Sequence, residues 1–154
     1  MSLRHISVSD KEAGELYEML CLEIMKISED NKFFIPVGEL SRMTGLVVET
    51  LEKEGAYFPM RFEEVGFHVS SQEVSAASHE LLATRQVESV KYTKDGGHGT
   101  GNSYQMTIFG DVIRDRNKEY LAELLKRSGT SLERLDAVAK DAIGTFKTIQ
   151  KTKR

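Results

Sequence analysis

The chain has 154 residues, 40% of them apolar and 29% charged. That composition builds a globular core and argues against disorder. No apolar run is long enough to cross a bilayer, and a single cysteine excludes an intrachain disulfide and any cysteine-based zinc site.

The N-terminal MSLRHISVSDK has no signal-peptide apolar region, which makes the cytoplasm the default expectation. Charge divides along the chain. Residues 1–111 carry ten Lys or Arg against eighteen Asp or Glu, a net -8, and residues 112–154 carry eleven against six, a net +5. An acidic body with a basic C-terminal arm is compatible with nucleic-acid binding without being the strongly basic footprint that would require it.

In chain order, Ser9 or Asp10 caps a first amphipathic helix with Ala13, Leu16, Tyr17, Leu20, Ile24 and Ile27 on its apolar face. Cys21 falls in that pattern and reads as a core thiol. Residues 32–36 form a short extended link stopped by Pro36. Residues 37–45 and 46–55 read as two short helices, closed by Gly45 and Gly55. That is helix-turn-helix spacing, but Glu49, Glu52 and Glu54 against Lys53 make the second helix scaffold rather than a DNA reader. Pro59 interrupts the chain, and Met60–Phe67 is expected to make one or two helical turns ending at Gly66.

From Ser70 or Ser71 a helix over residues 71–85 buries Val74, Ala77, Leu81 and Leu82. Its other face carries Gln72, Ser75, Ser78, His79 and Arg85, side chains that enter a major groove easily and can hydrogen-bond base edges or phosphates. Strands over 87–93 and 103–109 follow, joined by the glycine-rich tip KDGGHGTGN with Lys94, His98 and Asn102. The tip has no G-K-[ST] ending and leads into a strand, which argues against a phosphate loop.

Asp111 is expected to cap a helix running to about Ser128. Thr130 and Glu133 suggest a capping box for a last helix with Leu132, Leu135, Val138 or Ala139, Ala142 or Ile143, Phe146 and Ile149 apolar. So long a stripe needs a partner, either the first helix or a second subunit. Leu121, Leu124, Leu132, Leu135, Val138, Ala142 and Phe146 are the residues expected in a dimer contact.

The expected fold class is mainly α with a small antiparallel β-hairpin (α+β). In finer terms it is a winged helix-turn-helix over residues 9–110, followed by C-terminal dimerisation helices over 111–154. The phrases FEEVGF, SHELL and ESVKYTK, with a strand ending at Phe109 before a Lys- and Leu-rich helix, resemble winged-helix regulators of the PadR-like type and the bacterial replication terminator family. The resemblance covers roughly residues 62–128. It implies that the helix matching 71–85 enters the major groove, that the hairpin 87–109 is a wing, and that the long helix pairs two subunits.

The expected function is a homodimeric, sequence-specific double-stranded DNA-binding protein, most simply a transcription regulator. Contacts are expected from Ser71, Gln72, Ser75, Ser78, His79, Arg85, Lys91, Lys94 and His98. The competing reading is a winged-helix adaptor that binds protein. A ligand-sensing DNA-binding dimer is a third, on which the sequence is silent. No cofactor or metal is expected. The four histidines have no H-E-x-x-H spacing, and no nucleophile–base pattern occurs, so an enzyme is not the expectation.

Overall fold

The computed structural model describes residues 9–66, 68–93 and 100–152. Among them are six helices and two small antiparallel two-stranded sheets, an α+β arrangement dominated by helix. The helices are α1 (Asp10–Asp30), α2 (Leu40–Lys53), α3 (Gln72–Ala83), α4 (Ile108–Arg116), α5 (Lys118–Arg127) and α6 (Leu132–Thr152). One sheet pairs β1 (Glu63–Val65) with β2 (His68–Ser70), and the other pairs β3 (Val87–Thr93) with β4 (Thr100–Met106). No helix among the described residues is long and apolar enough to cross a membrane.

α1 is the axis of the molecule. It starts on a reciprocal cap in which Ser9 Oγ accepts from the Glu12 N–H and the Glu12 carboxylate accepts from the Ser9 N–H. Every residue from Met19 to Met25 is buried. A helix on one surface buries a stripe, so seven successive buried residues mean neighbours on all sides. α3, α4, α5, α6 and β4 all pack on it. Cys21 lies within this stretch, and burial pushes its thiol up to about 12, leaving an unreactive core side chain.

Several local expectations need correction. Leu40–Lys53 is one continuous helix rather than two, so the segment 37–55 contains no helix-turn-helix. Gly45 lies within it beneath the Phe62 ring, where an added Cβ would stand 3.2 Å from Cδ1. The glycine therefore serves a close approach, not a stop. Gly55, at φ +106°, does follow the end of α2. Residues 63–65 and 68–70 pair as a hairpin in place of helical turns, with Glu63 opposite Ser70 and Val65 opposite His68. Gly66 sits at its turn with φ +62°.

The second hairpin pairs Val87 with Met106 and Lys91 with Asn102. A third, minimal strand joins its edge, because the Tyr104 N–H donates to the Ile35 carbonyl and Pro36 bridges to Ser103. β4 stops at Met106, not Phe109. Thr107 caps α4 by accepting from the Gly110 N–H, four residues ahead of the expected cap at Asp111, which makes Ile108 and Phe109 helical. Asn117 then separates α4 from α5.

At α6 the cap is Ser131, whose Oγ accepts from the Arg134 N–H, rather than Thr130. The helix finds its partners inside the chain, on α1 and α2. Leu121, Leu124, Leu135, Val138, Ala142 and Phe146, expected at a dimer contact, are buried in this chain's own core, and Leu132 packs against the same core. Phe146 meets the Phe33 ring at 5.9 Å. Arg134 forks onto both carboxylate oxygens of Glu54, tying α6 to the end of α2. A division at residues 110 and 111 falls inside α4, and the helices beyond it share one hydrophobic core with α1.

Candidate nucleic-acid interface

α3 lays Val74, Ala77 and Leu81 against α1, which leaves the opposite side to solvent. Gln72, Ser75, Ala76, His79, Glu80 and Ala83 are exposed. The spacing 72, 75 or 76, 79 and 83 is one stripe of an α-helix. Its members are short or can hydrogen-bond, so the backbone of α3 can approach a partner closely.

Two of the expected contact residues face the other way. Ser71 is buried as the N-cap of α3, accepting from the Val74 N–H at 3.3 Å. Ser78 lies four residues after Val74 and shares its buried face. Its hydroxyl donates to the Ser75 carbonyl at 3.0 Å and also bonds the buried Tyr104 phenol, whose pKa is raised by burial. Both serines hold the helix in place and are closed to a partner. Ser71→Ala is expected to cost about 1 kcal/mol of stability in chemical denaturation. It should leave any ligand affinity of the folded protein unchanged.

The remaining expected residues are exposed where they are described. Arg85 follows α3 with φ +60°, and its carbonyl accepts from the Thr107 hydroxyl at 2.7 Å, which fixes the turn from α3 into β3. Lys91 stands on β3 opposite Asn102. Lys94 and His98 lie outside the described residues.

The sequence reading missed the β1–β2 hairpin, which runs directly into the N-terminus of α3 and brings exposed Glu63, Glu64, Val65 and His68 beside it. Gly66 directly after Val65 marks a turn, the one local signal for this hairpin, since its strands are too short to show a period. Arg61, just before this hairpin, donates its backbone N–H to Glu73 Oε1 at 2.7 Å and so braces the first turn of α3.

The electrostatics are mixed. Arg61, Arg85 and Lys91 are exposed around the α3 face, and so are Glu63, Glu64, Glu80 and Glu88. Among the described residues no group of three or more His, Cys, Asp or Glu could hold a metal ion. Comparisons with protein-family models, with curated proteins and with solved structures each return no match.

Proposed function

We propose that the chain is a winged-helix protein that binds double-stranded DNA and acts as a homodimeric transcription regulator. In this reading α3 is the recognition helix in the major groove and β3–β4 is the wing. The observation that carries the proposal is the exposed Gln72, Ser75, Ala76 and His79 stripe on a helix that leads straight into a two-stranded hairpin, with α1 and α2 behind it. At 12 residues α3 is about 18 Å long. A helix with small outward side chains fits a B-DNA major groove roughly 12 Å wide. In this reading the Gln72 amide bonds N6 and N7 on the major-groove edge of adenine, and the exposed Arg85 and Lys91 meet phosphate on the flanks.

The test is fluorescence anisotropy on random duplex DNA across a salt series. Affinity should fall linearly on logarithmic axes as salt rises. The double variant Arg85→Glu, Lys91→Glu should weaken binding uniformly across sequences and flatten the salt slope by about 1 for each phosphate no longer neutralised. Absence of binding by wild type at low salt would sink the proposal.

A second reading, a protein-binding winged-helix adaptor, draws on a specific feature. Ile108, Phe109 and Val112 at the start of α4 are exposed, Ile108 at 88%, and carboxylates flank α3. The dimer in the DNA reading rests on the two-fold symmetry of paired half-sites, since the α6 stripe is used within the chain. Sedimentation equilibrium tests it, and a monomer with and without duplex DNA would remove that element.

A further inference from the structure

We infer that the recess between α1, α4 and α5 binds a small organic cation, an ammonium or amidinium on an apolar body no larger than a benzene ring. The recess encloses about 120 Å³. For scale, an engineered cavity of about 150 Å³ takes up benzene. Its floor is hydrocarbon, from Met19 and Leu22 of α1 and Leu121 of α5. Its rim is polar, and most of that rim is already engaged. Arg114 is held by Glu23 and Asp111, and Glu15 accepts from the Tyr120 hydroxyl at 2.9 Å. Two rim side chains are left, Glu18 and Asn117. Neither makes a side-chain hydrogen bond among the described residues.

Glu18 sets the sign of the ligand. Its carboxyl is half-buried, and burial, with the neighbouring Glu80 and Glu15 carboxylates, raises its pKa. An incoming cation offsets both the lost hydration and the repulsion, whereas an anion meets the Glu18 and Glu15 carboxylates that line the recess. The Asn117 amide oxygen can accept a second N–H from the same group. A neutral apolar molecule would cover the floor but leave Glu18 unpaired, at the cost of a desolvated charge.

The position of the recess gives its occupancy a consequence. Gln86 closes one side. Its N–H donates to the Leu81 carbonyl of α3, and its carbonyl accepts from the Thr107 N–H that leads into α4. Glu80, one of the charges raising Glu18, is itself on α3. A bound cation therefore removes a repulsion between α1 and α3 and braces the joint of α3, β3 and α4. That regulatory role rests on the DNA reading, but the site does not.

The experiment titrates the full-length, ¹⁵N-labelled protein with n-butylammonium chloride against matched sodium chloride, following amide shifts and the thermal midpoint. Saturable shifts are expected around Glu18 and Asn117, with a midpoint that rises with concentration. Sodium butyrate and n-butanol should do neither. Glu18→Gln should weaken binding by about tenfold or more, the effect of losing a charged hydrogen-bond partner. Equal responses to butanol or butyrate, shifts that do not saturate, or unchanged affinity in Glu18→Gln would each overturn the inference. No DNA enters the measurement, so its outcome is separate from that of the DNA-binding test.

Discussion

Gly110→Ala is expected to destabilise the fold by more than about 3 kcal/mol, lowering the thermal midpoint by about 10 °C. An added Cβ would lie 1.9 Å from the Gln86 carbonyl oxygen and 2.8 Å from its carbon. Both are backbone atoms, so no rotamer change relieves the overlap. α4 would have to withdraw from the start of β3. That movement breaks the Thr107 cap and the Thr107-to-Arg85 hydrogen bond together. Gly144, in the middle of α6 with open space around it, provides the contrast. Gly144→Ala should raise stability by about 0.5–1 kcal/mol through helix propensity alone. Urea denaturation of the two variants beside wild type checks both signs in one experiment.

The second large effect is expected where α1, α4 and α6 meet. Glu23, with 3% of its side chain exposed, accepts from Arg114 Nε at 2.9 Å. The remaining oxygen of Glu23 and one oxygen of Asp136 are buried without a conventional donor. A proton on Asp136 supplies it, donated to Glu23. Burial and this neighbouring carboxylate push Asp136 up to about 7 from its ordinary 3.8, against the pull of Arg114 and Lys118.

The sign follows from proton binding. Between about pH 4 and 7 the folded protein holds a proton that the unfolded chain has released. The stabilising contribution is therefore complete below about pH 4 and is lost as pH rises through 7. Asp136→Asn keeps a donor for Glu23 without the titration, so it should flatten this fall and stabilise the protein at pH 8. Asp136 is only partly buried, so solvent screening limits the gain to about 1–2 kcal/mol. Arg114→Met has the opposite sign. It strands the buried Glu23 beside Asp136 and is expected to cost about 3–5 kcal/mol at pH 8 and much less at pH 5. Thermal denaturation of both variants at pH 5 and pH 8 reads the difference. A pH-independent cost for Arg114→Met would contradict the shared-proton arrangement.

Much of the helical framework was legible in the sequence because caps and periodicity are local. The Ser9 cap, the apolar face of α1, the phase of α3 and the apolar stripe of α6 all come from residues within a few turns of one another. What was missed depends on distant residues. Gly45 resembles a stop until Phe62, seventeen positions later, is known to cover it. Three-residue strands such as β1 and β2 are too short for a period to stand out. The α6 stripe indicates that a face is buried but not what covers it, and α1 and α2 turned out to do so. Ser78 is a different case. Hydroxyl chemistry suggested the outer face, while its place four residues after Val74 already put it on the inner one. Of the expected contact set, helix phase would have removed Ser78 and capping geometry Ser71, leaving Gln72, Ser75, His79, Arg85 and Lys91 among the described residues.

The enclosure of α1 also governs how the molecule assembles. Its covering layers come from α3, more than forty residues away, and from α6, more than a hundred residues away. A growing polypeptide thus reaches the ribosome's exit with the helix it will enclose most completely long before the segments that shield it. Contacts this far apart in sequence slow folding and leave that surface open to chaperones and self-association until the last helix docks. Hydrogen exchange should accordingly find the amides of α1 and α6 opening together, as one cooperative unit.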